Sequence, residues 1–243
     1  MIPPDHPRYR SLLTREYLAS CARDGIVTLE GLTAHGRGEA FDYLLGERTT
    51  DSALLAEQTA AAFLRTARRP LFSVNGNTAA LAAPLIARLQ EVSGIPVEVN
   101  LFHRTEERLQ KIRTYLETQG VTVLTGVAER LLPLSHDRAF CQREGLFNAD
   151  TVLVPLEDGD RCQALRDMGK RVIAIDLNPL SRTAKAASLT IVDELTRALP
   201  RITEAFPTLS SDDCARLIVS LDNRYFLSSA LEEMKRRLDA RLD

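Results

Sequence analysis

Short apolar runs alternate with amphipathic stretches through the middle of the chain. Each run is nearly continuous in hydrophobic residues and is bounded by turn residues, which is typical of strands buried on both faces. The predicted strands lie at residues 70–74, 96–102, 121–124, 151–155, 171–176 and 189–192. The intervening stretches predict helices at 78–92, 105–118 and 160–168. This alternation favours a parallel sheet with helices on both faces.

Both ends of the chain predict helices without strands. Near the N-terminus, a polar loop at 33–38 is expected to separate helices at 10–24, 39–45 and 51–68, the last capped by Asp51. The fold class is therefore predicted to be α/β, a doubly wound, mostly parallel sheet with helical N-terminal and C-terminal additions. We expect one α/β domain over 1–243, comprising a helical segment at 1–67, a core at 68–207 and C-terminal helices at 208–243.

One long segment, residues 126–150, fits neither period. About 25 residues are many for a passive connection in a compact domain. We therefore expect this segment to serve function or an interface.

Composition places the chain among ordinary globular proteins, because 44% of its 243 residues are hydrophobic and 26% are charged. The formal net charge of −2 provides no positive field for nucleic acid or an anionic membrane, so neither partner is expected. Only four of the 31 basic residues are lysines. Arginine is the better planar fork for phosphate and carboxylate, although a GC-rich genome produces the same bias.

Cysteine usage and the N-terminal sequence bear on the compartment. The cysteines are scattered, with no C-x-x-C pair: Cys21, Cys141, Cys162 and Cys214. Free thiols in a reducing cytoplasm are expected, and a structural zinc site is not. No signal peptide is visible, and no apolar stretch approaches the roughly 18 residues of a membrane span. These features predict a cytoplasmic protein.

Polar loops follow several predicted strands, and ligands of open parallel sheets bind at the carboxyl ends of strands. After the first strand, Asn75, Gly76 and Asn77 lead into a helix whose free backbone N–H groups suit an anion. A simple helix-capping turn explains the same residues. Arg104 stands at another helix start, where a cation is unfavourable unless it faces an anionic ligand.

The loop after the fourth strand is acidic. Its carboxylates, Glu157, Asp158 and Asp160, suit Mg²⁺ or an incoming amine, and a solvated capping turn is the alternative.

The loop after the fifth strand combines an acidic residue with a helix N-terminus that suits phosphate binding. Asp176 suits ribose or base donors, while Ser181, Arg182 and Thr183 open a helix suited to phosphate. A serine cap after an Asn-Pro turn explains it equally well. Upstream, His35 and Arg37 stand between glycines, which permit close approach of the backbone to a ligand. These patterns predict a phosphate-handling α/β protein without defining its reaction.

Several runs are specific in combination. They are 6–9 (HPRY), 15–16 (RE), 34–45 (AHGRGEAFDYLL), 73–77 (SVNGN), 100–102 (NLF), 104–108 (RTEER), 154–161 (VPLEDGDR) and 176–182 (DLNPLSR). Together and in this order, they resemble the archaeal phosphopantothenate synthetase family of 4-phosphopantoate–β-alanine ligases. The resemblance extends from residue 2 to about residue 235.

The resemblance implies a homodimeric, Rossmann-like enzyme of coenzyme A synthesis. Such an enzyme joins 4-phosphopantoate to β-alanine with ATP and Mg²⁺, releasing AMP and diphosphate. The ATP-binding positions carried over from the family are Arg15, Arg37, Asp176, Leu177, Asn178, Arg182, Thr183, Val192 and Asp193.

The candidate residues are expected to have different roles in this reaction. We expect an acyl-adenylate, with Arg15, Arg37 and Arg182 neutralising the triphosphate and Mg²⁺ bridging phosphates. From sheet geometry, Asn75, Gly76, Asn77 and Arg104 are expected to hold the 4-phosphate of phosphopantoate. Asp158 or Asp160 is expected to receive the β-alanine ammonium. The candidate catalytic residues are His35, Arg37, Asp158 and Asp160.

Two other function classes remain open. One is a kinase for a small hydroxy acid on a similar fold, which would form ADP. The other is a non-catalytic nucleotide-binding regulator, which would bind ATP without turnover that depends on β-alanine.

Overall fold

Buried parallel strands form the centre of the molecule in the computed structural model, which describes residues 2–6 and 8–240. Pro7, part of the first family-like run, lies outside the described residues. The strands are β1 (Pro70–Val74), β2 (Val97–Val99), β3 (Ala128–Arg130), β4 (Phe140–Gln142), β5 (Thr151–Pro155), β6 (Arg171–Ile175) and β7 (Leu189–Ile191). The helices are α1 (Tyr9–Arg23), α2 (Leu29–Leu45), α3 (Asp51–Thr66), α4 (Gly76–Ser93), α5 (Glu106–Thr118), α6 (Gly159–Asp167), α7 (Arg182–Ala186), α8 (Leu195–Thr208), α9 (Ser211–Val219) and α10 (Asn223–Asp239).

The main sheet has the order β2-β1-β5-β6-β7, and every pairing in it is parallel. The chain winds first from β1 to β2 and then from β5 outward to β7. The strand order therefore reverses between β1 and β5, where doubly wound sheets form their ligand crevice. The predicted Rossmann-like α/β fold class is confirmed.

Successive residues of each strand face opposite layers. Phe72 and Leu153 pack in the cluster that includes α3, α4 and α8, whereas Leu71 and Val152 pack against α6 and the segment 126–150. Because both faces are covered, the strands are apolar along their whole length. This double burial produced the near-continuous runs in the sequence.

The predicted loop at 33–38 is wrong, because α2 is one helix from Leu29 to Leu45. The Thr28 side chain caps it by accepting from the Gly31 N–H, and Gly46 ends it with a φ of 94°. Glycine in a helix interior costs about 1 kcal/mol relative to alanine, a preference that tertiary packing can override. The glycines beside His35 and Arg37 are therefore helical residues.

The predicted strand at 121–124 is also wrong. Only Val123 pairs with the sheet there, through a single bridge to Val97. The chain turns away immediately afterwards, where the Gly126 N–H donates to Gln142 Oε1 at 2.9 Å. The segment 126–150 then forms the antiparallel β3–β4 pair, a 3₁₀ turn at Asp137–Ala139 and a π-type turn at Arg143–Phe147.

None of the described helices has the length and apolar content needed to span a bilayer. The predicted boundaries between the N-terminal, core and C-terminal segments stay predictions.

A buried acidic cluster joins α3, α8 and the end of β7. The Glu57 side chain is fully buried in α3, and its carboxylate lies 3.8 Å from the Arg201 guanidinium of α8. Burial raises the pKa of Glu57 to about 9, and Asp193 beside it acts in the same direction. Asp193 in turn accepts from Thr49 at 2.5 Å and from Arg197 at 2.6 Å. Glu57 is therefore protonated at neutral pH.

The substitution Glu57→Gln should make folding less sensitive to alkaline pH. The pKa of Glu57 is higher in the folded chain than in the unfolded chain, so its stabilising proton is lost as pH rises towards 9. Between pH 6 and 8 the unfolding free energy of E57Q should therefore gain about 1.4 kcal/mol per pH unit over wild type. Urea denaturation at several pH values measures this difference. The half-exposed Glu129→Gln is the control, and parallel curves for wild type and E57Q would contradict the assignment.

Candidate active site

A cavity of about 740 Å³ opens at the carboxyl ends of β1, β2, β5 and β6, with α2 as its opposite wall. Many residues predicted from the sequence line it. These are His35, Arg37, Asn75, Gly76, Asn77, Asp158, Asp176, Leu177, Asn178, Arg182 and Thr183. The structure therefore brings the three strand-end loops together with His35 and Arg37 of α2.

The turn after β1 is fixed by Asn75. Its side-chain oxygen caps α4 by accepting from the Thr78 N–H at 3.0 Å, and its amide donates to the carbonyls of Pro155 and Leu156, both at 3.1 Å. Asn75 therefore joins the ends of β1 and β5, and its own polar atoms are occupied. The N-terminus of α4 is the part of this turn that is available to a ligand, because its free backbone N–H groups can face an anion.

The turn after β5 is strained and heavily ion-paired. Leu156 has a φ of 54°, in the left-handed region that an L side chain rarely adopts. Glu157 follows with a 2% exposed side chain held between two arginines, Arg138 at 2.5 Å and Arg161 at 3.1 Å. Asp158 caps α6 through Oδ1 and pairs through Oδ2 with the Arg138 Nε at 3.1 Å. Three ion pairs therefore hold this turn.

The turn after β6 is organised by Asp176. One carboxylate oxygen accepts from the Asn178 N–H at 2.9 Å, and the other accepts from the Ser181 hydroxyl at 2.5 Å. Burial raises the pKa of Asp176, while these hydrogen bonds and the nearby Arg37 act in the opposite direction. Ser181 also caps α7, and Thr183 donates to the Glu157 carbonyl at 2.8 Å. The β5 and β6 turns are thus one connected unit.

Two glycines allow α2 and the connection between α1 and α2 to approach α4 closely. A Cβ on Gly31 would lie 2.3 Å from Asn77 Oδ1, and one on Gly76 would lie 2.2 Å from the Ile26 carbonyl oxygen. The Asn77 amide uses this proximity to donate to the Gly31 carbonyl at 2.7 Å. On the same wall, burial lowers the pKa of His35, whose Nε2 lies 4.0 Å from Glu39.

The arginines of the cavity differ in how their charge is compensated. Arg138 is paired with carboxylates, and Arg182 is paired with Asp160. Arg108 instead donates to two backbone carbonyls, of His103 at 2.8 Å and Ile26 at 3.0 Å. No carboxylate among the described residues lies within ion-pair distance of the Arg108 guanidinium. This cation therefore retains capacity for an anionic ligand at the β1–β2 end of the cavity.

Comparison with known proteins identifies the family. Residues 52–237 match the model of the phosphopantothenate/pantothenate synthetase family. The chain belongs to this family. A 4-phosphopantoate–β-alanine ligase from Methanospirillum hungatei is 58% identical, with 98% of each chain covered. Enzymes with the same name from Methanosarcina mazei and Thermococcus onnurineus are 49% and 44% identical over 98% of this chain, covering 95% and 93% of their own. The resemblance deduced from the sequence runs is confirmed.

Five positions predicted from the sequence lie outside the cavity lining. Arg15 pairs with Glu39 at 2.7 Å, and the Arg104 guanidinium lies 3.6 Å from Glu106. The others are Asp160, in the ion pair with Arg182, and the buried residues Val192 and Asp193. Their assignment as ligand-binding residues of this synthetase family member stays a prediction.

Sequence reasoning missed Arg108, Arg138 and Arg161. Arg108 ends the run RTEER and lies in the first turn of α5, whereas Arg104 precedes the Thr105 N-cap, so helical spacing does not relate the two arginines. Arg161 closes the acidic run and is fully buried beneath the cavity. Arg138 stands in the segment without a period, and no local signal marks it.

Alanine substitutions at two helical glycines should have opposite effects. Gly76→Ala forces a Cβ into the Ile26 carbonyl and the Arg108 guanidinium, so we expect a loss of about 1–3 kcal/mol of stability and weaker substrate binding. Gly36→Ala meets no atom within 4 Å and should stabilise α2 by up to about 1 kcal/mol. Thermal unfolding of both variants checks this, and equal shifts would contradict the packing at Gly76.

Proposed function

We propose that this protein is an ATP-dependent ligase that condenses 4-phosphopantoate with β-alanine to 4′-phosphopantothenate, releasing AMP and diphosphate, in coenzyme A biosynthesis. The observation that carries the proposal is similarity to ligases of that name along 98% of the chain. The cavity itself supports it, because separate strand-end loops offer room for several substrates at once.

ATP is assigned to the β6 side of the cavity. Asp176, Leu177 and Asn178 lie at the end of β6, where a buried carboxylate suits ribose or base donors. Arg182 and Thr183 begin α7, and Arg37 faces Asp176 from α2. From the family resemblance, Arg15, Val192 and Asp193 complete the nucleotide site. Exposed Arg37 and Arg182 are suited to neutralise phosphate charge that grows as diphosphate departs.

4-Phosphopantoate is assigned to the β1–β2 half. Its 4-phosphate would meet the N-terminus of α4 at Asn75, Gly76 and Asn77, with Arg104 contributing from the next loop. Arg108 joins this set, because its uncompensated guanidinium lies against Gly76. A dianionic phosphate is favourable beside both a helix N-terminus and an arginine.

The reaction then proceeds in two balanced steps. A carboxylate oxygen of phosphopantoate attacks the α-phosphorus of ATP, and the bond to the bridging oxygen breaks so that diphosphate leaves with its electron pair. The amine nitrogen of β-alanine next attacks the acyl carbon, and AMP leaves with the electrons of the acyl–oxygen bond. The ammonium of β-alanine loses one proton before the attack, and the nitrogen loses a second proton after it. Both protons pass to solvent through Asp160, whose carboxylate is exposed beside the cavity. His35 and Arg37 border the reacting groups from α2.

Mg²⁺ fits this site best as a companion of the triphosphate. The candidate donors His136, Asp158 and Asp160 have ligand atoms within 4.8 Å of one another. Both carboxylates are already engaged by arginines, and magnesium in proteins usually keeps phosphate oxygens and waters with only one or two carboxylates. When bound, the ion would shield phosphate charge, with phosphate oxygens and waters as its main ligands.

The family resemblance also leads us to propose a homodimer that works in the cytoplasm. Size-exclusion chromatography with light scattering tests the dimer, for which a mass near twice 27.0 kDa is expected.

Resolving the nucleotide products tests the proposed reaction. With ATP, Mg²⁺ and 4-phosphopantoate, addition of β-alanine should produce AMP, diphosphate and 4′-phosphopantothenate in equal amounts. Omitting β-alanine or replacing phosphopantoate with pantoate is the control and should reduce AMP at least tenfold. Formation of ADP would favour a kinase or an acyl-phosphate route. Saturable ATP binding without turnover would favour the nucleotide-binding regulator.

A further inference from the structure

The three proposed substrates differ in charge, and this difference separates their subsites. ATP and 4-phosphopantoate are polyanions, whereas β-alanine is a zwitterion with one ammonium and one carboxylate. Polyanions favour cations with no carboxylate within ion-pair distance, which among the described residues of the cavity include Arg37 and Arg108. A zwitterion instead favours a cation and an anion side by side, with little net charge. This reasoning rests on the proposed function and extends it to the amino acid substrate.

The order of strands fixes where β-alanine has to bind. β5 lies between β1, on the phosphopantoate side, and β6, on the nucleotide side. The 4-phosphate and the carboxylate of phosphopantoate are at opposite ends of its carbon chain. If the 4-phosphate lies at the N-terminus of α4, the carboxylate of phosphopantoate points towards the nucleotide. It then meets the α-phosphate of ATP near the carboxyl end of β5. The attacking amine must reach the same place.

The charged groups at the end of β5 have the required balance. Arg138 and Arg161 carry two positive charges, and Glu157 and Asp158 carry two negative charges. Glu157 is buried beneath the cavity, whereas the side chain of Asp158 is 29% exposed. Because this ion-paired cluster is electrically neutral, it does not attract a polyanion. It can nevertheless hold a zwitterion in one orientation through its separate positive and negative groups.

Arg138 also has a free hydrogen-bonding position. Its Nη1 lies 2.5 Å from Glu157 and its Nε lies 3.1 Å from Asp158. Among the residues that the structure describes, Nη2 donates no hydrogen bond, and unlike Nε and Nη1 it is not one of the fully buried polar atoms. The side chain lines the cavity, and the two carboxylates fix its orientation. A guanidinium held in this way has lost its rotamer freedom before a ligand arrives, which reduces the entropic cost of binding.

We propose that Arg138 binds the carboxylate of β-alanine through Nη2, while the carboxylates of Asp158 and Asp160 receive its amino end. The amino acid then lies beside the β5 turn with its nitrogen towards the junction of the two polyanionic substrates. Arg138 selects β-alanine over amines that lack a carboxylate. The segment 126–150 is accordingly part of the active site, since it supplies this arginine.

Propylamine provides the test, because it is β-alanine with a methyl group in place of the carboxylate. In wild type, kcat/KM for β-alanine should far exceed that for propylamine. In Arg138→Met and Arg138→Lys, the preference should fall by about 10- to 100-fold, as expected for loss of a hydrogen bond between charged groups. The change should arise from a higher KM for β-alanine. Phosphopantoate-dependent exchange of labelled diphosphate into ATP needs no amine and should stay within threefold of wild type.

The matched control is Arg130→Met. Arg130 lies in the same segment, stacks on the Phe140 ring and donates to the Leu134 carbonyl outside the cavity. This variant should retain the wild-type preference for β-alanine. If R138M fails to fold, R138K retains the charge and carries the test.

Two results would overturn the inference. One is an unchanged preference for β-alanine over propylamine in a folded Arg138 variant. The other is a parallel loss of diphosphate exchange and β-alanine use, which indicates only a structural role. Absence of exchange in wild type itself would instead overturn the proposed adenylate reaction, and this inference with it.

Discussion

The ion-paired carboxylate of Glu157 holds the site together. A charge buried in a protein interior is costly unless it is paired and hydrogen-bonded, and removing one partner exposes the full cost. Arg161 satisfies one Glu157 oxygen and also donates to Ser73 on β1 at 3.1 Å. The other oxygen accepts from the Asp158 N–H at 2.9 Å and is ion-paired with Arg138 of the segment 126–150, and the Glu157 carbonyl accepts from Thr183. Glu157 therefore links β1, the turn after β6 and the segment 126–150.

Arginine richness has two distinct consequences in this fold. Arg138 and Arg161 form ion pairs with carboxylates, so they fix the positions of these side chains and contribute little net positive charge to the cavity. Arg37 and Arg108 have no carboxylate within ion-pair distance among the described residues, and both line the cavity. Counting arginines in the sequence cannot separate these groups, because the distinction depends on which carboxylates the fold brings within reach.

The secondary-structure elements that could be predicted from the sequence are those determined by the residues of the element itself. β1 and β5 were found with their observed bounds because burial on both faces leaves an uninterrupted apolar run. The loop expected at 33–38 was wrong because glycine preferences were outweighed by packing of α2 that sequence alone does not reveal. Arg138 could not be predicted, since its partners Glu157 and Asp158 lie about 20 residues further along the chain and only the folded segment brings them together.

Capping and ligand binding are complementary uses of the same polar loops. Asn75, Asp158 and Ser181 each accept a backbone N–H at the start of a helix, and each helix start borders the cavity. By taking one N–H, a cap fixes the direction in which the remaining free N–H groups point. The capping interpretation of these turns therefore strengthens the case for a ligand site, because an uncapped helix start would present its donors less rigidly. Specific recognition then falls to the charged side chains around these helix starts, and the compensation of each charge determines which substrate it suits.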